Sequence, residues 1–186
     1  MIYRKNLMEP FDSLLIWIAE FLGEHIYEGI FLAALLETIV PPIPTLAVFP
    51  TAGFLASQQG ISIIGVFPMI ILGALGATIG TSAIYLIALK LGRVVLLRYL
   101  KYVKISEKKL ARVEKWFEKY GDITVLVGRM IPVMREMISV PAGLLEMKIT
   151  KFVLYTFIGS LIWSTITILS GYYFGEAIGL SGVFSS

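Results

Sequence analysis

Two long stretches of the chain carry no Asp, Glu, Lys or Arg: Thr38–Leu89, 52 residues, and Phe152–Gly175, 24 residues. One helical crossing of a bilayer takes about 20 predominantly apolar residues. The second stretch therefore predicts one crossing, over 151–174. The first is too long for one crossing and is punctuated by Pro41, Pro42, Pro44, Pro50 and Pro68; its later part predicts a span over 63–90. Between the two runs the pattern changes. In "ISEKKLARVEKWFEKYG", Leu110, Val113, Trp116, Phe117 and Tyr120 recur at helical spacing with most lysines between them. This predicts a basic amphipathic helix over 104–120, N-capped by Ser106, stopped at Gly121 and lying along the inner membrane surface. Residues 1–28 read as an amphipathic or membrane-entry helix, because Asp12, Glu20 and Glu24 interrupt the apolar positions. The ten-residue alternation of a membrane barrel is absent.

Proline cannot continue a helix, and backbone freed within lipid must be satisfied by protein or cavity water. "ETIVPPIPTLAVFPTAGF" is therefore expected to form a re-entrant hairpin, 29–57. One half-helix descends to about Val40, Pro41, Pro42 and Pro44 form the tip, and a second half-helix climbs from about Leu46. "GRMIPVMREMISVPAGLLEMK" has the same make-up and predicts a second hairpin, 122–146. Its first half-helix runs from about Asp122 to Met130, the break lies near Pro132, and the return begins after Arg135; Pro141 and Gly143 are grouped with its tip. The stretches echo each other: "PTAGFL" ends one and "VPAGLL" the other, and Pro42 and Pro132 each stand ten residues before an alanine, Ala52 and Ala142. Each is followed by an apolar span with small residues, Gly73, Gly76 and Gly80 in one, Gly159 and Gly171 in the other. Such spacing permits close helix approach. The expected fold is all-α and integral to the membrane. Two re-entrant hairpins form an inverted repeat within a membrane domain of residues 29–176, each followed by a transmembrane helix, and a short tail, 177–186, closes the chain. Transporters built this way bind substrate near the midplane on broken half-helices.

Composition strengthens the membrane reading: 57% of residues are hydrophobic and 16% charged, against about 25% charged in soluble domains. The expected location is the cell membrane, multi-pass. From Lys90 to Lys119 there are ten Lys/Arg and three acids, which places that segment in the cytoplasm. There is no cysteine and one histidine, His25. No metal ligand set can be assembled, and neither metal nor cofactor is expected.

Arg129 and Arg135 stand six residues apart in the second hairpin. Each would cost about 2.5–3.5 kcal/mol at a bilayer centre. The guanidinium is always charged, and its planar fork matches carboxylate or phosphate. Two arginines beside half-helix tips therefore suggest a pocket for an anionic group, most simply a phosphate. Glu37, in the first hairpin, is the obvious counter-charge or proton carrier. Architectural readings stay open: Arg129, about 10 Å along a helix from Asp122, could snorkel to the surface, and Arg135 could pair with Glu37 or Glu136.

"LLETIVPPIPTLAVFPTAGFLA", "GALGATIGTSAIYLIALKLGR" and "EKWFEKYGDITVLVGRMIPVMREMISVPAGLLEM" resemble the DedA family, whose shared region is the VTT or SNARE-associated domain. The likeness covers Ile30 to Tyr173. It is most specific at Gly128, Arg129, Pro132 and Arg135, followed by Pro141–Gly143. It implies facing re-entrant hairpins and movement of lipids between leaflets, polyprenyl phosphate or phospholipid among them. Glu37 matches the family's hairpin acid, and Arg129 and Arg135 its two functional arginines. Where many members carry further acids this chain has Leu46 and Thr81. Their loss implies a flippase or scramblase that depends little on protons, unless Glu136 serves as the coupling acid. The expected partners are phosphate-bearing membrane lipids and no nucleic acid, with homo-oligomerisation open. Competing readings are a proton-coupled ion or drug transporter, a membrane enzyme acting on lipid phosphates, and a scaffold without transport.

Overall fold

The computed structural model describes residues 21–37, 45–102 and 107–184. The proline tip at Pro41, Pro42 and Pro44, the Ser106 cap and residues 1–20 lie outside them. Among the described residues all regular structure is α-helical. The helices, in order, are α1 Ile26–Glu37, α2 Thr45–Gln58, α3 Ile63–Tyr102, α4 Glu107–Tyr120, α5 Ile123–Arg129, α6 Pro132–Met137, α7 Ser139–Leu144 and α8 Ile149–Phe184.

The long helices α3 and α8 carry apolar spans at Ile63–Lys90 and Ile149–Ile178, both ample for a hydrocarbon core about 30 Å thick. Their outward faces are apolar. Ile64, Phe67, Ile71, Leu75 and Ile79 recur every three or four residues along α3 and are all exposed. Water would penalise such a stripe, whereas lipid would not. Both helices outrun the expected spans: α3 continues past Lys90 to Tyr102, and α8 reaches Phe184 through most of the expected tail. No proline or paired glycines interrupt either continuation, so the backbone ladder has no reason to end with the hydrophobic run.

The two long helices run antiparallel. Near one end the Tyr172 hydroxyl donates to the Ile61 carbonyl at 2.9 Å. Near the other, the Tyr85 ring stacks on Phe152 with centroids 4.4 Å apart. Two hydrophobic clusters fill the interior. One joins Ile26, Ile30 and Ala34 of α1 to Phe49, Ala52 and Ala56 of α2, Val66, Met69 and Ala77 of α3, and Ile168 and Tyr172 of α8. The other joins Tyr85, Phe117, Val125, Ile138, Ala142, Met147 and Phe152. Phe117 of α4, expected as a surface helix, is buried in this cluster, whereas Tyr120 stays exposed. Gly121, at φ 62°, ends α4 in a left-handed turn that suits glycine.

Where α2 meets α8, backbone touches backbone. A side chain at Gly53 would collide with the Ile168 carbonyl, and one at Gly171 with the Pro50 carbonyl. Pro50 lies inside α2 and supplies no N–H to the preceding turn. Gly171→Val is expected to cost about 3 kcal/mol or more, since neither backbone can retreat without moving a helix. The reading is the melting temperature of the purified protein in detergent. Wild-type melting by this variant would show that the two helices do not meet as described.

Candidate functional site

The space between the two clusters is polar. Thr81 on α3 stands between Ala77 of one cluster and Tyr85 of the other. On α8, Thr156, Ser160 and Ser164 stand between Phe152 and Ile168, all buried. Thr81 is nine residues from Lys90, and Ser160 nine from Lys151, about 14 Å along either helix.

Local chain chemistry brings both arginines to this level. In an unbroken helix, residues six apart project about 120° from one another. Here α5 ends at Arg129, with Met130 and Ile131 closing onto the Val127 and Gly128 carbonyls at 3.1 and 3.3 Å. Ile131 is extended, φ −103° and ψ 120°, and Pro132 opens α6. The residue before a proline is driven out of the helical region, and a proline suits the first turn of the next helix. The break therefore falls at Ile131. The return helix begins at Pro132 and contains Arg135, earlier than the expected start after Arg135. Pro141 and Gly143 are not at the break. Pro141 is in the first turn of α7, where a missing N–H costs nothing. Gly143 lies against α3, where a Cβ would be 2.7 Å from Ala88 Cβ.

Arg135 is 5% exposed, and its Nη2 donates to Glu37 Oε2 at 3.0 Å. Its guanidinium carbon sits 5.0 Å from the centre of the Trp163 ring. Arg129 is 3% exposed, so it does not snorkel. Its Nη1 donates to the Arg135 carbonyl at 3.1 Å, and its Nη2 to the Thr81 hydroxyl. Thr81 passes its own proton to the Ala77 carbonyl. Gly159 lets α8 close on the first arginine: a Cβ there would be 2.6 Å from Arg129 Cβ. Glu136 is in α6, with its side chain outside the described residues. At the outer edge Asp122 leaves the α5 N-terminus uncapped and instead accepts from Lys151 at 2.7 Å.

Among the described residues, Glu37, Arg129 and Arg135 thus lie together, two guanidinium groups and one carboxylate. Among the described residues, Arg129 Nε and the Ser139, Thr156, Ser160 and Ser164 hydroxyls are buried without a hydrogen-bond partner. Buried polar groups are normally paired, so these are unused capacity. Sequence reasoning singled out Glu37, Arg129 and Arg135, and met Thr81 only as a departure from the DedA pattern. It missed Trp163 and the hydroxyl face of α8. The signal was a four-residue repeat, Thr156, Ser160, Ser164, inside an otherwise apolar span.

Comparison with known proteins gives the chain its relatives. The VTT domain matches residues 43–173. "Undecaprenyl phosphate transporter A" of Staphylococcus aureus is 32% identical over 88% of this chain and 81% of its own length. The protein of the same name in Bacillus subtilis is 36% identical over 88% and 79%. An "alkaline phosphatase-like protein" of Lactococcus lactis is 32% identical over 86% and 75%. No solved structure matches. With the VTT domain spanning most of its length and relatives of this identity along it, the chain belongs to the DedA, or VTT-domain, family of membrane proteins.

Proposed function

We propose that this protein is a flippase or scramblase that carries a phosphate-bearing lipid between leaflets, polyprenyl phosphate foremost, with the headgroup held by Arg129 and Arg135. The observation that carries this reading is the pair of buried arginines, level with Thr81 and Ser160, which stand about 14 Å along the long helices from Lys90 and Lys151. At that depth an arginine pair is too costly to be idle. In the resting state Glu37 occupies Arg135. An arriving phosphate displaces the carboxylate and takes the guanidinium fork. The names of the relatives supply the lipid.

The path is a pair of re-entrant hairpins in an inverted repeat. α1 and α2 enter from outside, and α5 to α7 from the cytoplasm. Each packs with one of the two hydrophobic clusters, and the arginines lie where the halves meet, so that either side can open in turn. The protein carries lipid without altering it. The two relatives named as transporters support a carrier over the phosphatase suggested by another relative's name. Thr81, a neutral acceptor beside Arg129, cannot shuttle a proton at physiological pH. Transfer is therefore expected to depend little on a proton gradient.

The test is exchange of labelled polyprenyl phosphate and labelled phospholipids across proteoliposomes, with and without a proton gradient. Exchange of the prenyl phosphate well above protein-free vesicles, within about twofold in the two conditions, is expected. No exchange of any phosphate-bearing lipid would remove the reading. Strict dependence on the gradient would assign coupling to Glu37 or Glu136.

A further inference from the structure

Most hydroxyls along the two long helices use their proton locally. Thr78 donates to the Ala74 carbonyl at 2.7 Å, Ser82 to Thr78 at 2.7 Å, Thr165 to Leu161 at 2.7 Å and Thr167 to Trp163 at 2.8 Å. This back-bonding is the ordinary fate of Ser and Thr in a helix without water. Thr156, Ser160 and Ser164 of α8 do not take it, and the neighbouring Trp163 Nε1 is likewise buried with no partner. The indole nitrogen can only donate, and when buried it usually finds an acceptor. No oxygen of the described residues serves it. Yet its ring lies against the guanidinium of Arg135, the side chain that Glu37 holds.

We infer that Trp163 is a binding residue of the anion site, its indole N–H donating to a phosphate oxygen while its ring holds Arg135 in place for the same phosphate. The inference rests on the anion-site reading above and adds a neutral donor to it. The division of labour follows from the atoms. When Glu37 lets go, the cation–π contact with the indole face still holds the guanidinium at the ring. A phosphate that meets the guanidinium edge then lies beside the indole, whose N–H bonds to an ionised oxygen and so makes a charge-assisted bond. Ser160 and Ser164, also lacking acceptors, continue the same donor face.

The probe is farnesyl monophosphate, titrated against the full chain in detergent, with farnesol and inorganic phosphate as controls. Trp163→Phe keeps a ring for Arg135 and removes the N–H. It is expected to bind the probe about tenfold more weakly, the loss of one charge-assisted bond. Trp163→Leu, which also loses the stacking, should be weaker still. Farnesol should bind neither protein measurably. A response to inorganic phosphate as strong as to the probe would keep the donor role and assign it to the free anion. A Trp163→Phe protein that binds within twofold of wild type overturns the inference and leaves the anion site standing. Failure of the wild type to bind either phosphate overturns both.

A second measurement guards against a variant that does not fold. In the Trp17→Phe, Trp116→Phe double variant, Trp163 is the only indole left. Its emission should shift on titration with farnesyl monophosphate and saturate at the wild-type affinity. A folded double variant that binds the probe with no change in emission rules out contact between the indole and the phosphate.

Discussion

Arg135→Lys is expected to lower prenyl-phosphate transfer about ten- to a hundredfold while the protein still inserts and folds. The magnitude is that of one charged hydrogen bond, about 1.5–3 kcal/mol, at about 1.4 kcal/mol per decade. Lysine keeps the charge, so Glu37 remains partnered. What it loses is shape. Arg135 meets Glu37 with Nη2 at 3.0 Å while its flat guanidinium lies 5.0 Å from the Trp163 ring centre. An ammonium is a compact point charge that cannot present two parallel donors to a phosphate or lie flat on an indole. Arg135→Ala would be a poorer test, because it breaks the ion pair of a carboxylate only 12% exposed and mixes unfolding with loss of binding. The measurement is transfer per folded protein in vesicles, with the melting temperature alongside. Transfer within about twofold of wild type would remove the arginine fork from the mechanism.

Glu37→Leu is expected to act in two directions at once. Breaking a buried ion pair by removing one partner costs about 3–5 kcal/mol; the Trp163 ring beneath Arg135 and its other contacts offset part of this. The melting temperature should therefore fall. The same change removes the carboxylate that a phosphate must displace, so farnesyl monophosphate should bind more tightly than to wild type and restore much of the lost stability. Transfer should nonetheless slow, because the carboxylate that reclaims Arg135 from the headgroup is gone. Glu37→Gln, which can still hydrogen-bond to Arg135, should lie between. A Glu37→Leu protein of wild-type stability, or one that binds the phosphate less well, would show that Glu37 is not the resting partner that the ligand replaces.

The features legible in the sequence are those that depend on near neighbours. The charge-free runs around 63–90 and 151–174 mark the two long apolar helices, because a bilayer imposes length and apolarity on each segment separately. Pro132 marks a helix break, because the clash between a proline and the residue before it is local; the break falls at Ile131, one residue earlier in its effect. Gly121 marks the end of α4 for an equally local reason. Glu37, Arg129 and Arg135 were conspicuous because a charge within an apolar run costs energy wherever it sits.

Packing decided the rest. Nothing near Thr81 in the chain announces that it accepts from Arg129, 48 residues away, and nothing near Glu37 selects Arg135 over Arg129. Helix lengths past Lys90 and Phe174 were underestimated, because hydrophobicity reports where lipid is and not where the backbone ladder stops. Trp163 and the Thr156–Ser160–Ser164 face were invisible as chemistry. In sequence they read as tolerated polar residues in a span, and only a neighbouring carbonyl or its absence determines whether such a donor is spent. Sequence alone determined that the chain is a membrane protein with two arginines and an acid within its broken segments. The tertiary structure decided which face each points to, because convergence of side chains 98 residues apart depends on how α1, α3, α6 and α8 stack and not on any residue's own preference.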